Sequence, residues 1–350
     1  MKSMTLLSAL LLVGSGAAYS QEVGPAPRAT VGSGTIDQPA VGPAPSSKVG
    51  GTGFVLVKNW DFGTDGSNTI TRTEDLSEHF QYHDQFGTIG NGDHYGALMV
   101  APTEELSLPG RAQPIEGRDT GGKPIREFTT GSMKTFLVPL RGATECHPAK
   151  HNVGCGSFQA KWTLPKGGSR LGQDVLWETR VRYVTPPYYW FAIWTCGNKW
   201  DRGAEIDVVE GFGYDNGGGY TNYDGRLWHV GIVGGNEEEH YSNWQNGMKR
   251  YGITTFDPTV YHTWSMLYKA DNTIVIYMDG NPVQSGFSHW TLKTEENGEP
   301  LNMSFIFDGG WGHTEIGSVN KPLPASAFDG TYYEWDYSRV YVRKPTPVTP

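Results

Sequence analysis

Glu205-Ile206-Asp207-Val208-Val209-Glu210 is the stretch from which the rest of the chain is read. Branched apolar residues alternate with carboxylates, the pattern of a β-strand. Side chains at i and i+2 of a strand share a face, so Glu205 and Asp207 belong to one side. Glu210 stands five positions beyond Glu205, and a regular strand would turn it to the other side. One β-bulge between Asp207 and Glu210 adds a residue and returns Glu210 to the first face. Neither Val208 nor Val209 is glycine, so the expected bulge is one that an ordinary L-residue adopts, with a Val packed in the core.

Three acids on one side of a strand repel each other and raise each other's pKa. Two carboxyl groups about 5–5.5 Å apart are what a retaining glycosidase uses as nucleophile and acid/base. A third acid between them can hold the proton and charge balance. The competing reading is an edge strand whose acidic face is solvated, a common guard against aggregation.

The flanks weigh on this choice. Upstream stand Trp190-Phe191-Ala192-Ile193-Trp194 and Trp200-Asp201-Arg202-Gly203-Ala204; downstream stands Gly225-Arg226-Leu227-Trp228-His229-Val230-Gly231. Tyr261-His262-Thr263-Trp264 precedes Ile274-Val275-Ile276-Tyr277-Met278-Asp279-Gly280, and Trp335-Asp336-Tyr337-Ser338-Arg339-Val340-Tyr341 comes near the end. Together these segments, over about residues 54 to 343, resemble glycoside hydrolase family 16. The opening Asn59-Trp60-Asp61-Phe62 is a weaker echo of that family's D-E-F.

The resemblance implies an all-β fold, a concanavalin A-like β-jelly-roll sandwich with an open substrate cleft on its concave sheet. It implies that Glu205 is the nucleophile, that Glu210 is the acid and then the base, and that Asp207 hydrogen-bonds to Glu205 between them. Many members carry a structural calcium near the first and last strands, where Asp61 and Asp336 fall; no organic cofactor is implied. Trp194, Trp200 and Trp228 lie next to the acids in sequence and are expected to line the cleft, because sugar rings stack their C–H faces on aromatic rings. Trp311, in Asp308-Gly309-Gly310-Trp311-Gly312, and His229 are each read two ways, as substrate contact or as packed core. Most of the 12 Trp and 18 Tyr must in any case be core.

The rest of the chain agrees with a secreted enzyme. Met1 to Ser20 holds one Lys, a short apolar run from Leu6 to Val13, and small residues, the form of a signal peptide. Residues 21–51 are rich in Pro, Gly, Ser and Ala, with Gly24-Pro25-Ala26-Pro27 repeated as Gly42-Pro43-Ala44-Pro45, and read as a disordered linker. Residues 52–345 are then one catalytic sandwich domain, with no strong helical periodicity and many short strands between Gly, Pro and Asn turns. A net charge of −9 argues against nucleic acid as partner. No other apolar run is long enough to cross a membrane. A monomer acting on a polysaccharide is expected. The three cysteines leave one over if Cys146 and Cys155 pair, which a secreted location permits.

Substrate is the least determined point. Val209 and Asp201 replace the Met and Pro common in laminarinases, while Lys199, Arg202 and Arg226 stand where sulfate or uronate groups would be met, or are simply solvated. A β-1,3-glucan comes first and a marine β-galactan (agar, porphyran or carrageenan) second. A lectin-like binding protein is the rival from another class, since fold does not fix function.

Overall fold

The computed structural model describes residues 53–62, 70–81, 98–100, 126–129, 131–147, 152–162, 173–196, 204–212, 222–230, 237–242, 257–270, 273–287, 304–311 and 321–343. By internal contacts the chain divides into Met1–Thr35 and Ile36–Pro350, and all described residues belong to the second unit. The expected signal peptide and linker lie outside the described residues.

Among the described residues the strands run in chain order as follows. The first group is β1 Val55–Asp61, β2 Phe80–Gln81, β3 Leu98–Val100, β4 Arg126–Thr129, β5 Ser132–Phe136, β6 Val138–Pro139 and β7 Glu145–Cys146. Then come β8 Val153–Ala160, β9 Asp174–Val184, β10 Tyr189–Cys196, β11 Ala204–Phe212, β12 Asn222–Val230 and β13 Glu237–Ser242. The last are β14 His262–Tyr268, β15 Thr273–Met278, β16 Asn281–Phe287, β17 Ser304–Trp311, β18 Leu323–Pro324 and β19 Tyr332–Arg343. One short helix, α1 Thr73–His79, and a 3₁₀ turn at Ala325–Phe328 interrupt them. No periodicity announced α1; at seven residues it is too short to show one.

Two large sheets result, as the all-β jelly-roll expectation requires. One is eight-stranded, ordered β16-β15-β14-β9-β19-β5-β4, with β1 also on β19. The other is nine-stranded, ordered β13-β12-β11-β10-β17-β8-β2, with β3 and β6 also on β8. One edge of β19 serves two partners: β5 pairs along Tyr332–Trp335 and β1 along Tyr337–Val342. A bulge at Asp336 separates the two halves.

The core is aromatic and joins the sheets. Phe158, Phe305, Phe307 and Phe191 come from the nine-stranded sheet; Trp177, Trp335 and Tyr333 come from the other. Phe307 meets Trp335 edge-on at 5.0 Å, Phe305 meets Trp177 at 4.8 Å, and Phe191 stacks on Tyr333 at 5.3 Å. Such pairs add about 0.5–1.5 kcal/mol each beyond their area burial. They also identify which parity of each strand faces inward. On β10 it is Tyr189, Phe191 and Ile193; on β17 it is Phe305, Phe307, Gly309 and Trp311.

The hairpin β14–β15–β16 shows local chemistry at work. Asp279 and Gly280 both have positive φ, 50° and 79°, as the tight turn between β15 and β16 demands. The Asp279 carboxylate accepts the Thr263 N–H at 2.8 Å and lies 2.7 Å from His262 Nδ1. His262 is partly buried, which lowers its pKa, but the bond to and charge of Asp279 outweigh this and leave it raised.

Candidate active site

β11 carries the three acids, and its pairings reveal how they are aligned. Against β12, Glu205 pairs with Trp228, Asp207 with Arg226 and Glu210 with Asp224. Three steps along β11, from Asp207 to Glu210, therefore match two steps along β12. Against β10, Asp207 pairs with Trp194 and Val209 with Ile193, which leaves Val208 as the extra residue. The expected bulge is present. It needs no left-handed residue: among the described residues the only non-glycine positions with positive φ are Tyr188 and Asp279.

The apolar residues around the bulge are covered. Ile206 and Val209 are fully buried and Val208 is 2% exposed. The extra residue is thus an apolar side chain that the fold covers, as expected of a bulge with a Val packed in the core. Trp228, Arg226 and Asp224 are alternate residues of β12, so their partners Glu205, Asp207 and Glu210 all occupy register positions of one face. That face is opposite to Ile206, which pairs with Leu227.

The other expected site residues divide. Trp228 falls on the face of the acids. His229 pairs with Ala204 and so has the register parity of Leu227, the partner of Ile206, opposite to that of the acids. Trp194 pairs with Asp207 on the acids' face but is only 2% exposed, so its ring offers no open face for a sugar to stack on. Trp311 pairs with Tyr189 on the inward parity and is fully buried. Its ring lies edge-on to Phe328 at 5.0 Å, and its indole N–H donates to the Pro187 carbonyl at 3.1 Å. That bond clamps the β9–β10 turn, where Tyr188 has φ 61°. The substrate-contact reading of Trp311 thus gives way to a packing role. Trp200, Lys199 and Arg202 lie outside the described residues. Register also adds a residue that motif reading passed over: Asp308 on β17 pairs with Ala192, which pairs with Glu210.

Asp61 and Asp336 are brought close, as the resemblance implies, since the Phe62 N–H donates to the Asp336 carbonyl at 3.3 Å. Their carboxylates are committed elsewhere. Arg339 donates to Asp61 at 2.8 Å and Arg180 pairs with Asp336. Both aspartates are buried. A calcium ion needs six to eight oxygen ligands. Among the described residues no group of three or more His, Cys, Asp or Glu is arranged to hold a metal. The two aspartates therefore do not fit a calcium site; they neutralise arginines on the outer side of the eight-stranded sheet. Cys146 is a buried free thiol, so its pairing with Cys155 is not formed. Burial, with a contribution from Glu145, pushes that thiol up to about 11.

No model of a protein family matches the chain, and no curated protein does. Solved structures do. A non-specific endo-β-1,3(4)-glucanase of family GH16 superposes with a TM-score of 0.53 at 16% identity, over 84% of this chain and 92% of that one. The β-agarase A of Zobellia galactanivorans gives 0.52 at 15% identity, over 88% and 99%. The endo-β-1,3-glucanase of Pyrococcus furiosus gives 0.51 at 15% identity, over 84% and 96%. By its fold, the chain is a β-jelly roll of the kind found in family 16 glycoside hydrolases.

Proposed function

We propose that this protein is a secreted, retaining endo-β-glycosidase that cuts a neutral β-linked polysaccharide, a β-1,3-glucan first and a neutral β-galactan second. The observation that carries the reading is the bulge at Val208, which gives Glu205, Asp207 and Glu210 register positions on one face of β11. A binding protein has no use for three aligned acids and the irregular strand that aligns them.

In this reading the Glu205 carboxylate attacks the anomeric carbon while Glu210 gives its proton to the departing glycosidic oxygen. The sugar is then held as an ester on Glu205. Glu210, now a carboxylate, takes a proton from water, which displaces Glu205 and restores the starting configuration. Asp207 stands between the two and shares the charge of the site.

Charge favours a neutral polymer. Beside the three acids, the same side of the sheet receives Asp224, Asp308 and Glu239, against Arg226 as the cation of these positions. Sulfate or uronate groups would meet repulsion there. The endo-β-glucanases and the agarase among the structural neighbours support the same choice of substrate class.

The test is release of reducing ends from laminarin, lichenan, agarose and κ-carrageenan. Laminarin or agarose should be cut and carrageenan spared. Glu205→Gln and Glu210→Gln should fold and lose at least about a thousandfold in rate. NMR of the first product formed should show the β-anomer. Binding of every polymer without release would make the protein a lectin. Met1–Ser20 is proposed as the signal peptide; sequencing the exported protein should find its N-terminus near Gln21.

A further inference from the structure

The strand beside β11 carries an acid directly across from Glu210. Residues directly opposed on antiparallel strands share a face, with Cβ atoms about 4.5–5.5 Å apart. The Glu210 rung therefore holds two carboxyl residues, Glu210 and Asp224, while the Asp207 rung holds an acid and a guanidinium, Asp207 and Arg226. On the other flank Glu210 meets Ala192, and Asp308 comes only on the next strand, about 10 Å away. Beyond β12, the acids' side of β13 carries Tyr241 across from Arg226 and Glu239 across from Trp228. Asp224 is thus the acid in closest register with Glu210.

A carboxylate on one residue of such a rung disfavours ionisation of the other. Three features direct the retained proton to Glu210. An isolated Glu holds its proton slightly more tightly than an Asp, by about 0.4 units. Glu210 sits between two paired strands, whereas the pairing of β13 with β12 begins only at Gly225, so Asp224 stands past the end of that ladder. Asp207 has Arg226 as its register partner, so Asp224, with no cation on its own rung, adds its charge to that of Glu205 in acting on Glu210.

We propose that Asp224 is a positioning residue: its negative charge, directly across the β11–β12 ladder, keeps Glu210 protonated at neutral pH. The inference rests on Glu210 being the acid/base. It predicts where activity ends on the alkaline side, because that limb follows loss of the Glu210 proton.

The experiment measures kcat/KM against pH for the wild-type chain, Asp224→Asn, Asp224→Ser and Asp224→Glu, with laminarin or agarose as substrate and thermal melts to show that each folds. The Asn and Ser variants should move the alkaline limb down by about one pH unit. Asp224→Glu should leave it in place. A limb unmoved in Asn and Ser variants that fold, or moved upward, overturns the proposal and makes Asp224 merely structural. A wild-type chain that releases no reducing ends from any polymer removes the glycosidase reading itself, and this inference with it.

Discussion

Glu178 is a buried acid whose state is set by its surroundings. It lies on the outer side of β9, 4% exposed, and accepts the Tyr337 hydroxyl at 2.9 Å. Burial pushes its pKa from 4.5 up to about 7, against the Tyr337 hydrogen bond and the Arg339 charge, which pull it down. The folded chain therefore holds a proton that the unfolded chain releases. Its contribution to stability is complete below about pH 4.5 and is lost as pH rises through about 7. Thermal melts across this window should show wild type losing stability more steeply than Glu178→Gln, whose amide stays neutral throughout. Parallel curves would mean that Glu178 is ionised in the fold. Around it, Arg182–Glu334, Arg180–Asp336, Arg339–Asp61 and Arg343–Asp174 pair across the same outer surface. Removing one partner leaves a buried charge, so Arg339→Met should destabilise by about 3 kcal/mol, read from urea unfolding, and Asp61→Asn with Arg339→Met should recover part of it.

At the level of the element, β11 works through an irregularity. Deleting Val208 leaves Glu205-Ile206-Asp207-Val209-Glu210, a regular alternation that still keeps the three acids on one face. That variant should fold with a loss of about 1–3 kcal/mol for the missing buried side chain, and should keep weak activity. Inserting an alanine between Val208 and Val209 shifts Glu210 by one position and should abolish activity, because a one-residue slip moves a side chain to the other face. Equal activity in the two variants would separate the bulge from the chemistry.

For the whole molecule, the aromatic contacts between the sheets carry the stability, and nothing in the composition of residues 21–50 can add to them. Removing that segment should leave the melting temperature within about 2 °C of the full chain, by calorimetry. A larger fall would mean that the segment docks on the sandwich. Sedimentation should find a monomer at either length.

What was legible in the sequence was local. The alternation of carboxylates with Ile and Val identified β11, and the five-residue offset of Glu210 required a bulge, because parity is a property of one strand. The Asp279-Gly280 dipeptide fits the tight turn that closes its hairpin, since both residues tolerate positive φ. What only tertiary structure decided was everything that depends on which strands become neighbours. Trp311 could be read as cleft or core from its glycine-rich segment, and pairing with Tyr189 put it on the inward side. Trp194 stands beside Asp207, yet its ring is covered. Asp61 and Asp336 had the look of metal ligands until Arg339 and Arg180, distant in the chain, came to lie against them. Asp224 and Asp308 gained their importance in the same way, because cross-strand register follows from the packing of the whole sandwich and is written in no single segment.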